Sequence, residues 1–206
     1  MDVPSRINGL LRHVPPWTVY LLLALPLASL LWQAVSGGLG PDPVRTLERS
    51  LGETGLQLIV AGLLVTPLRR LIGINLIRYC RAIGVMAFAY VALHLTVWVS
   101  LDLAFRWAEI GADLLKRPYI IVGMIGFLAM LPLAVTSNNL SVRKLGPVAW
   151  NRLHRLTYVA AVAGAVHYLM LVKAWPLEPI LYAVAVAVLL ALRLWWVRGR
   201  VVARAA

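Results

Sequence analysis

The sequence predicts an all-α integral membrane bundle of about six transmembrane helices. Three observations predict it. The 206 residues are 61% hydrophobic and only 14% charged, with a mean hydropathy of +0.82. That leaves too little polar surface for a soluble domain. The apolar residues are gathered into long runs, and a bilayer core of roughly 30 Å needs about 20 of them per helix. The charges lie between those runs.

Taken in order, the runs are 17–35, 51–68, 82–101, 118–136, 156–172 and 176–192. The second carries Glu53 near its start and the sixth carries Glu178 near its entry. An open sheet is excluded because lipid cannot satisfy its edges. A barrel would alternate polar and apolar residues, and these runs do not. The first run exceeds a signal-peptide h-region and five more follow, so it reads as a retained span. The domain reading is a cytoplasmic segment over 1–16, a membrane domain over 17–197 and a basic cytoplasmic tail over 198–206.

The net charge of +12 would point to nucleic acid in a soluble protein. Here its distribution sets orientation, and no nucleic-acid partner is expected. Alternate loops on one side hold Arg6 and Arg12; Arg69, Arg70, Arg78 and Arg81; Arg143, Lys144, Arg152 and Arg155; and Arg193, Arg198, Arg200 and Arg204, against the single acid Asp2. The other side holds Arg45, Arg49, Arg106, Lys116, Arg117 and Lys173 with Asp42, Glu48, Glu53, Asp102, Glu109, Asp113 and Glu178. Lys and Arg mark the cytoplasmic side. Both termini are therefore expected in the cytoplasm, which requires an even number of spans.

The only cysteine is Cys80, so a multi-cysteine metal site is impossible. The four histidines are His13, His94, His154 and His167. His13, beside Arg12, reads as a solvated or headgroup residue. The other three lie within or at the ends of apolar spans, where an ionisable residue is costly and usually functional. A histidine bonded to a neighbouring helix is the plain alternative for any one of them. Three on two helices favour metal ligation. His94 is 12 residues into the third span and His167 is 11 into the fifth, and the two spans run the same way. The pair is expected at one depth, toward the periplasm, where two imidazoles can hold one haem iron from both faces. Such iron has no free site and suits electron transfer.

His154 lies 13 residues before His167, about 20 Å along a helix axis. It belongs to another level, near the cytoplasmic surface, where a second redox group would shorten the electron's path. On one continuous helix the two histidines would point about 140° apart. Arg81, 13 residues before His94, is a candidate contact for a haem propionate or a flavin phosphate, or simply a positive-inside arginine. Cys80 as a thiolate ligand is the weaker idea. Small residues flank both histidines, Gly84, Ala87, Ala89 and Ala92 on one span and Ala160, Ala161, Ala163, Gly164 and Ala165 on the other. They suit a broad flat cofactor and also ordinary helix packing. Tyr90, Trp98, Tyr158 and Tyr168 read as packing or interface residues. No glycine-rich nucleotide motif is present, so the chain is expected to need a separate donor and acceptor.

Several motifs occur together in order: GGLGPDPV at 37–44, VTPLRR at 65–70, ALHLT at 92–96, KRPYIIVG at 116–123, RKLG at 143–146, and the run 151–173 with its LH and HY pairs. With them the chain resembles the MsrQ (YedZ) family, the haem-binding membrane subunits of the MsrPQ system, in the ferric reductase-like transmembrane group. The resemblance spans nearly the whole chain. It implies haem b, one or two per chain, held by His94, His154 and His167, together with FMN. It implies a multi-pass protein of the bacterial inner membrane. The electron donor would be the quinone pool or a cytosolic flavin reductase. The acceptor would be a periplasmic molybdopterin enzyme that reduces methionine sulfoxide in oxidised proteins, so catalysis is expected in the partner. The family's arginine pair falls on Cys80 and Arg81 here, a departure at position 80. Competing readings are a self-sufficient ferric reductase or superoxide-producing oxidase, a quinone-linked cytochrome b with another acceptor, and a haem-free transporter or scaffold.

The charge asymmetry makes a direct prediction. Reporter fusions at Ala206 and near Pro43 report opposite sides of the membrane, and equal signals from both defeat the six-span arrangement.

Overall fold

In the computed structural model, which describes residues 3–172 and 176–205, every regular element is helical. The elements are α1 (Val3–His13), α2 (Pro16–Ser36), α3 (Pro43–Pro67), α4 (Cys80–Val97), α5 (Trp107–Lys116), α6 (Pro118–Val135), α7 (Asn139–Leu153), α8 (Leu156–Leu171) and α9 (Leu177–Ala205). A π-helical turn, Leu68–Ile72, extends α3, and another, Trp98–Asp102, extends α4. Five helical stretches are long and apolar enough to cross a membrane: Pro16–Ser36, Pro43–Ile72, Ile77–Asp102, Pro118–Val135 and Leu177–Arg198. The sixth apolar helix, α8, has 16 residues, about 24 Å of rise.

The six expected runs lie in these helices to within a residue at their ends, but one boundary moves. The second helix begins at Pro43, before the apolar run at 51. Asp42 caps it by accepting a bond from the Arg45 N–H at 3.1 Å, and Pro43 occupies the first turn, where its missing N–H costs nothing. Glu53 is accommodated because its carboxylate accepts from the Tyr168 hydroxyl at 2.8 Å and pairs with Arg49 at 3.4 Å. α8 begins at Leu156, where its run begins, and follows a turn at 154–155, so His154 is not on the helix of His167.

Three helices were not expected: α1, α5 and α7. None buries a residue. α1 and α5 are amphipathic and α7 is kinked at Gly146, whose φ of 72° precedes Pro147. The carboxyl end of α1 is held by the segment before α4. Arg78 donates to the Leu11 and Arg12 carbonyls at 3.0 Å, and the Tyr79 hydroxyl donates to Leu11 O at 2.8 Å. These carbonyls are ones a helix end leaves without partners.

The core lies where α3 packs along α4 and α6 along α8, with α9 against α8 and α3. Leu51, Leu63, Ala87, Tyr90, Ala160, Ala161 and Val186 are buried there. The small side chains of α8 allow close helix approach. α2 buries none of its residues, and Leu21, Leu22 and Leu25 face outward as a lipid-facing surface would. One side chain fastens it. The fully buried Tyr90 hydroxyl donates to Leu23 O at 2.8 Å and accepts from Leu27 N at 3.0 Å, beside Pro26. It bridges the two ends of one helical step in a helix already interrupted by proline.

α9 is fastened by a comparable device. Pro67 has no N–H, so the Leu63 carbonyl lacks its usual partner four residues on. Arg193 supplies the donor at 3.0 Å and also donates to the Tyr158 hydroxyl at 2.9 Å. One guanidinium thus joins α9, α3 and α8.

Replacing Tyr90 with phenylalanine removes the bridge and keeps the ring. The expected cost is about 1–3 kcal/mol for backbone groups left short of partners in an apolar setting. It is read as a lower midpoint of thermal unfolding in detergent. An unchanged midpoint contradicts the anchoring role.

Candidate functional site

Two of the predicted site histidines meet. His94 lies in the last turn of α4 and His167 near the end of α8. Their ring centroids are 6.2 Å apart and the rings are inclined at 79°. Each ring is held by a neighbouring helix. His94 Nδ1 lies 2.8 Å from Glu48 O on α3, and His167 Nδ1 lies 2.7 Å from Tyr119 O on α6. A carbonyl only accepts, so Nδ1 carries the hydrogen in both rings and Nε2 keeps its lone pair. A helix carbonyl engaged in its own ladder has a second lone pair to offer. α4 is thereby tied to α3, and α8 to α6.

This donor set selects among metals. No group of three or more His, Cys, Asp or Glu side chains that could hold a metal ion occurs among the described residues. Zinc and similar ions take three or four protein ligands. A metal held between two imidazoles must bring its other ligands with it, as a porphyrin-bound iron does. The spacing agrees, since two metal–nitrogen bonds of about 2 Å and two half-rings span roughly 6 Å. The outer hydrogen bond from Nδ1 to a carbonyl is the usual support for a metal-binding histidine. The residues present fit a haem that a pair of histidines would hold.

The other predicted residues lie elsewhere. His154 sits in the turn between α7 and α8, so the angular offset expected on one continuous helix does not apply to it. Its ring stacks on Trp150 with centroids 3.6 Å apart. The Thr136 hydroxyl donates to Pro132 O at 2.6 Å, and at 3.3 Å it accepts from His154 Nε2–H. That leaves Nδ1 as the lone-pair atom of this ring. Burial pushes the pKa of the His154 imidazole down from its ordinary value. Arg81 is exposed at the start of α4, 13 residues and about 20 Å of helix from His94. Cys80 is partly buried, with its thiol 4.0 Å from Leu76 O. His13 is exposed at the end of α1.

Sequence reasoning missed Glu48 and Tyr119, which act through their carbonyls. A backbone carbonyl leaves no signature in residue type. It also counted Arg70 and Arg193 only as orienting charges. In the structure they line a cleft with Thr66, Tyr158 and Trp196, at the far end of the bundle from the histidine pair. The Arg70 guanidinium lies 4.8 Å from the Trp196 ring centroid.

The family model described as ferric reductase like transmembrane component matches residues 51–165, a segment that includes His94 and His154 and stops just before His167. The chain is similar to proteins named protein-methionine-sulfoxide reductase heme-binding subunit MsrQ. It is 46% identical to that of Caulobacter vibrioides over 93% of this chain and 89% of the relative. It is 44% identical to that of Brucella anthropi over 86% and 82%, and 46% identical to that of Brucella ovis over 86% and 80%. No solved structure matches.

Proposed function

The chain belongs to the MsrQ family of heme-binding subunits, in the ferric reductase-like transmembrane group, and from that premise we propose that it carries electrons across the membrane through haem b held between His94 and His167. The observation that carries this reading is the pair of imidazoles with ring centroids 6.2 Å apart and both Nδ1 atoms tied to carbonyls, which keeps both Nε2 lone pairs unprotonated. When bound, haem would supply one-electron redox chemistry. The chain's own residues do the rest. His94 and His167 would hold the iron through their Nε2 atoms. The carbonyls of Glu48 and Tyr119 hold the rings in one tautomer and one orientation.

In this reading the protein lies in the bacterial inner membrane with both termini cytoplasmic. The histidine pair is at the periplasmic end and hands electrons to a molybdopterin methionine sulfoxide reductase. Docking of that partner falls to the segment 37–44 and to the region around α5. There Glu109 pairs with Arg106 at 2.9 Å and Asp113 with Arg117 at 3.2 Å, so the acids are available to re-pair with a cationic partner. Electrons enter at the cytoplasmic end from the quinone pool or a cytosolic flavin reductase. His154 supports a second haem or an FMN at that level, with Arg81 as a phosphate contact. The cleft of Arg70, Arg193, Tyr158 and Trp196 suits a planar anionic group on the same side.

Haem stoichiometry and the reduced spectrum of three variants test this. His94→Ala and His167→Ala each abolish the low-spin signature of the pair and stop electron delivery. His154→Ala lowers haem or flavin content at the cytoplasmic end and leaves the pair's signature in place. Wild-type haem content with a full bis-histidine spectrum in both of the first two variants rules out the ligand pair. Equal and complete haem loss in all three makes the site a single cooperative one.

A further inference from the structure

The two ligand histidines sit on seats of the same construction. A methyl group on Gly52 would stand 3.1 Å from His94 Nδ1 and 3.2 Å from its Cε1. One on Gly123 would stand 2.8 Å from His167 Nδ1 and 3.1 Å from its Cε1. Each glycine follows by one helical turn the carbonyl that its histidine binds: Glu48 before Gly52, Tyr119 before Gly123. This register has a physical cause. The Cα–Cβ bond in a helix tilts toward the N-terminus, so a side chain covers the turn before its own Cα. A side chain at 52 or 123 would therefore cover the outer lone pair of the carbonyl at 48 or 119. Only glycine leaves that acceptor open to a ring from another helix.

The sequence repeats the device. α3 reads Gly52-Glu53-Thr54-Gly55 and α6 reads Gly123-Met124-Ile125-Gly126. The second glycine of each serves packing alone. A methyl on Gly55 would stand 2.7 Å from Val91 Cγ2, and one on Gly126 would stand 3.2 Å from Ala163 Cβ. Val91 and Ala163 lie one turn before His94 and His167. Small residues at helix crossings are ordinary packing, and Gly55 and Gly126 answer that description. Gly52 and Gly123 face a polar ring nitrogen instead.

We infer that Gly52 and Gly123 are positioning residues that open the Glu48 and Tyr119 carbonyls to His94 and His167, and so fix the orientation and donor strength of the two haem ligands. The inference rests on the reading of that pair as the haem ligands. A hydrogen bond from Nδ1–H makes Nε2 a stronger donor, and outer-sphere support of this kind is worth about 10–100-fold in metal affinity. A stronger donor favours the oxidised iron, so weakening the bond raises the reduction potential.

The test uses the full chain in detergent and three variants, Gly123→Ala, Gly52→Ala and Gly126→Ala. Haem affinity, the low-spin electron paramagnetic resonance signal and the midpoint potential are measured for each. Gly123→Ala, with the shorter clearance, loses about 10–100-fold in haem affinity and displaces the low-spin signal. Gly52→Ala retains haem, with a smaller signal displacement and an upward shift in potential. Gly126→Ala crowds the same helix pair without touching an imidazole and leaves the signal and potential unmoved. The inference is overturned if Gly126→Ala moves them as far as Gly123→Ala, if the order of the two seat variants is reversed, or if both seat variants match wild type. Unmoved seat variants beside histidine variants that lose the low-spin signal would sink this inference alone. Wild-type spectra in the histidine variants would sink the ligand pair itself.

Discussion

A hydrogen bond from an imidazole on one helix to a carbonyl on the next is the interaction on which this bundle depends. Deep in a bilayer an imidazole without a partner is expensive, because neither lipid nor water answers its polar atoms. His94 and His167 each meet that demand with Nδ1, against Glu48 O and Tyr119 O. The bonds do more than satisfy a polar atom. They join α4 to α3 and α8 to α6, the two most extensively packed helix pairs of the fold. They also leave Nε2 of both rings as the lone-pair atom, with the ring centroids 6.2 Å apart. Imidazole orientation and helix pairing are one constraint seen from two sides.

The peripheral helices are attached by a related economy. Prolines and helix ends leave backbone groups without partners, and side chains from other helices answer them. Arg193 takes the Leu63 carbonyl that Pro67 cannot serve, and Tyr90 bridges Leu23 and Leu27 beside Pro26. Arg78 and Tyr79 close the end of α1. In a soluble protein water would fill many of these roles. In an apolar environment each unfilled group is a penalty, so the repairs become the specific contacts that fix helix order. Apolar packing alone discriminates poorly there, since lipid is as apolar as leucine.

The two ends of the bundle differ in character. One end holds the histidine pair, the amphipathic α5 and the Arg49–Glu53–Tyr168 chain of polar contacts. The other holds His154 stacked on Trp150, exposed Arg81 and the arginine-aromatic cleft at α9. About 20 Å of helix separates these levels. The electron path proposed above would run between these two levels.

By itself the sequence determined the spans, the charge asymmetry and the shared depth of His94 and His167, because each follows from counting residues along helices of known rise. It left α1, α5 and α7 unseen, since short amphipathic helices carry no long apolar run. It misplaced His154 on α8 because a two-residue turn at 154–155 changes no hydropathy. It began the second span too late, because the charges of Arg45, Glu48, Arg49 and Glu53 hide a helix whose cap and ion pairs absorb them. The glycines at 52 and 123 were legible only as letters. Their role depends on which carbonyls face which rings across helix pairs. Only the tertiary structure decided that, because the Glu48 and Tyr119 carbonyls are atoms that every residue possesses and that geometry alone singles out.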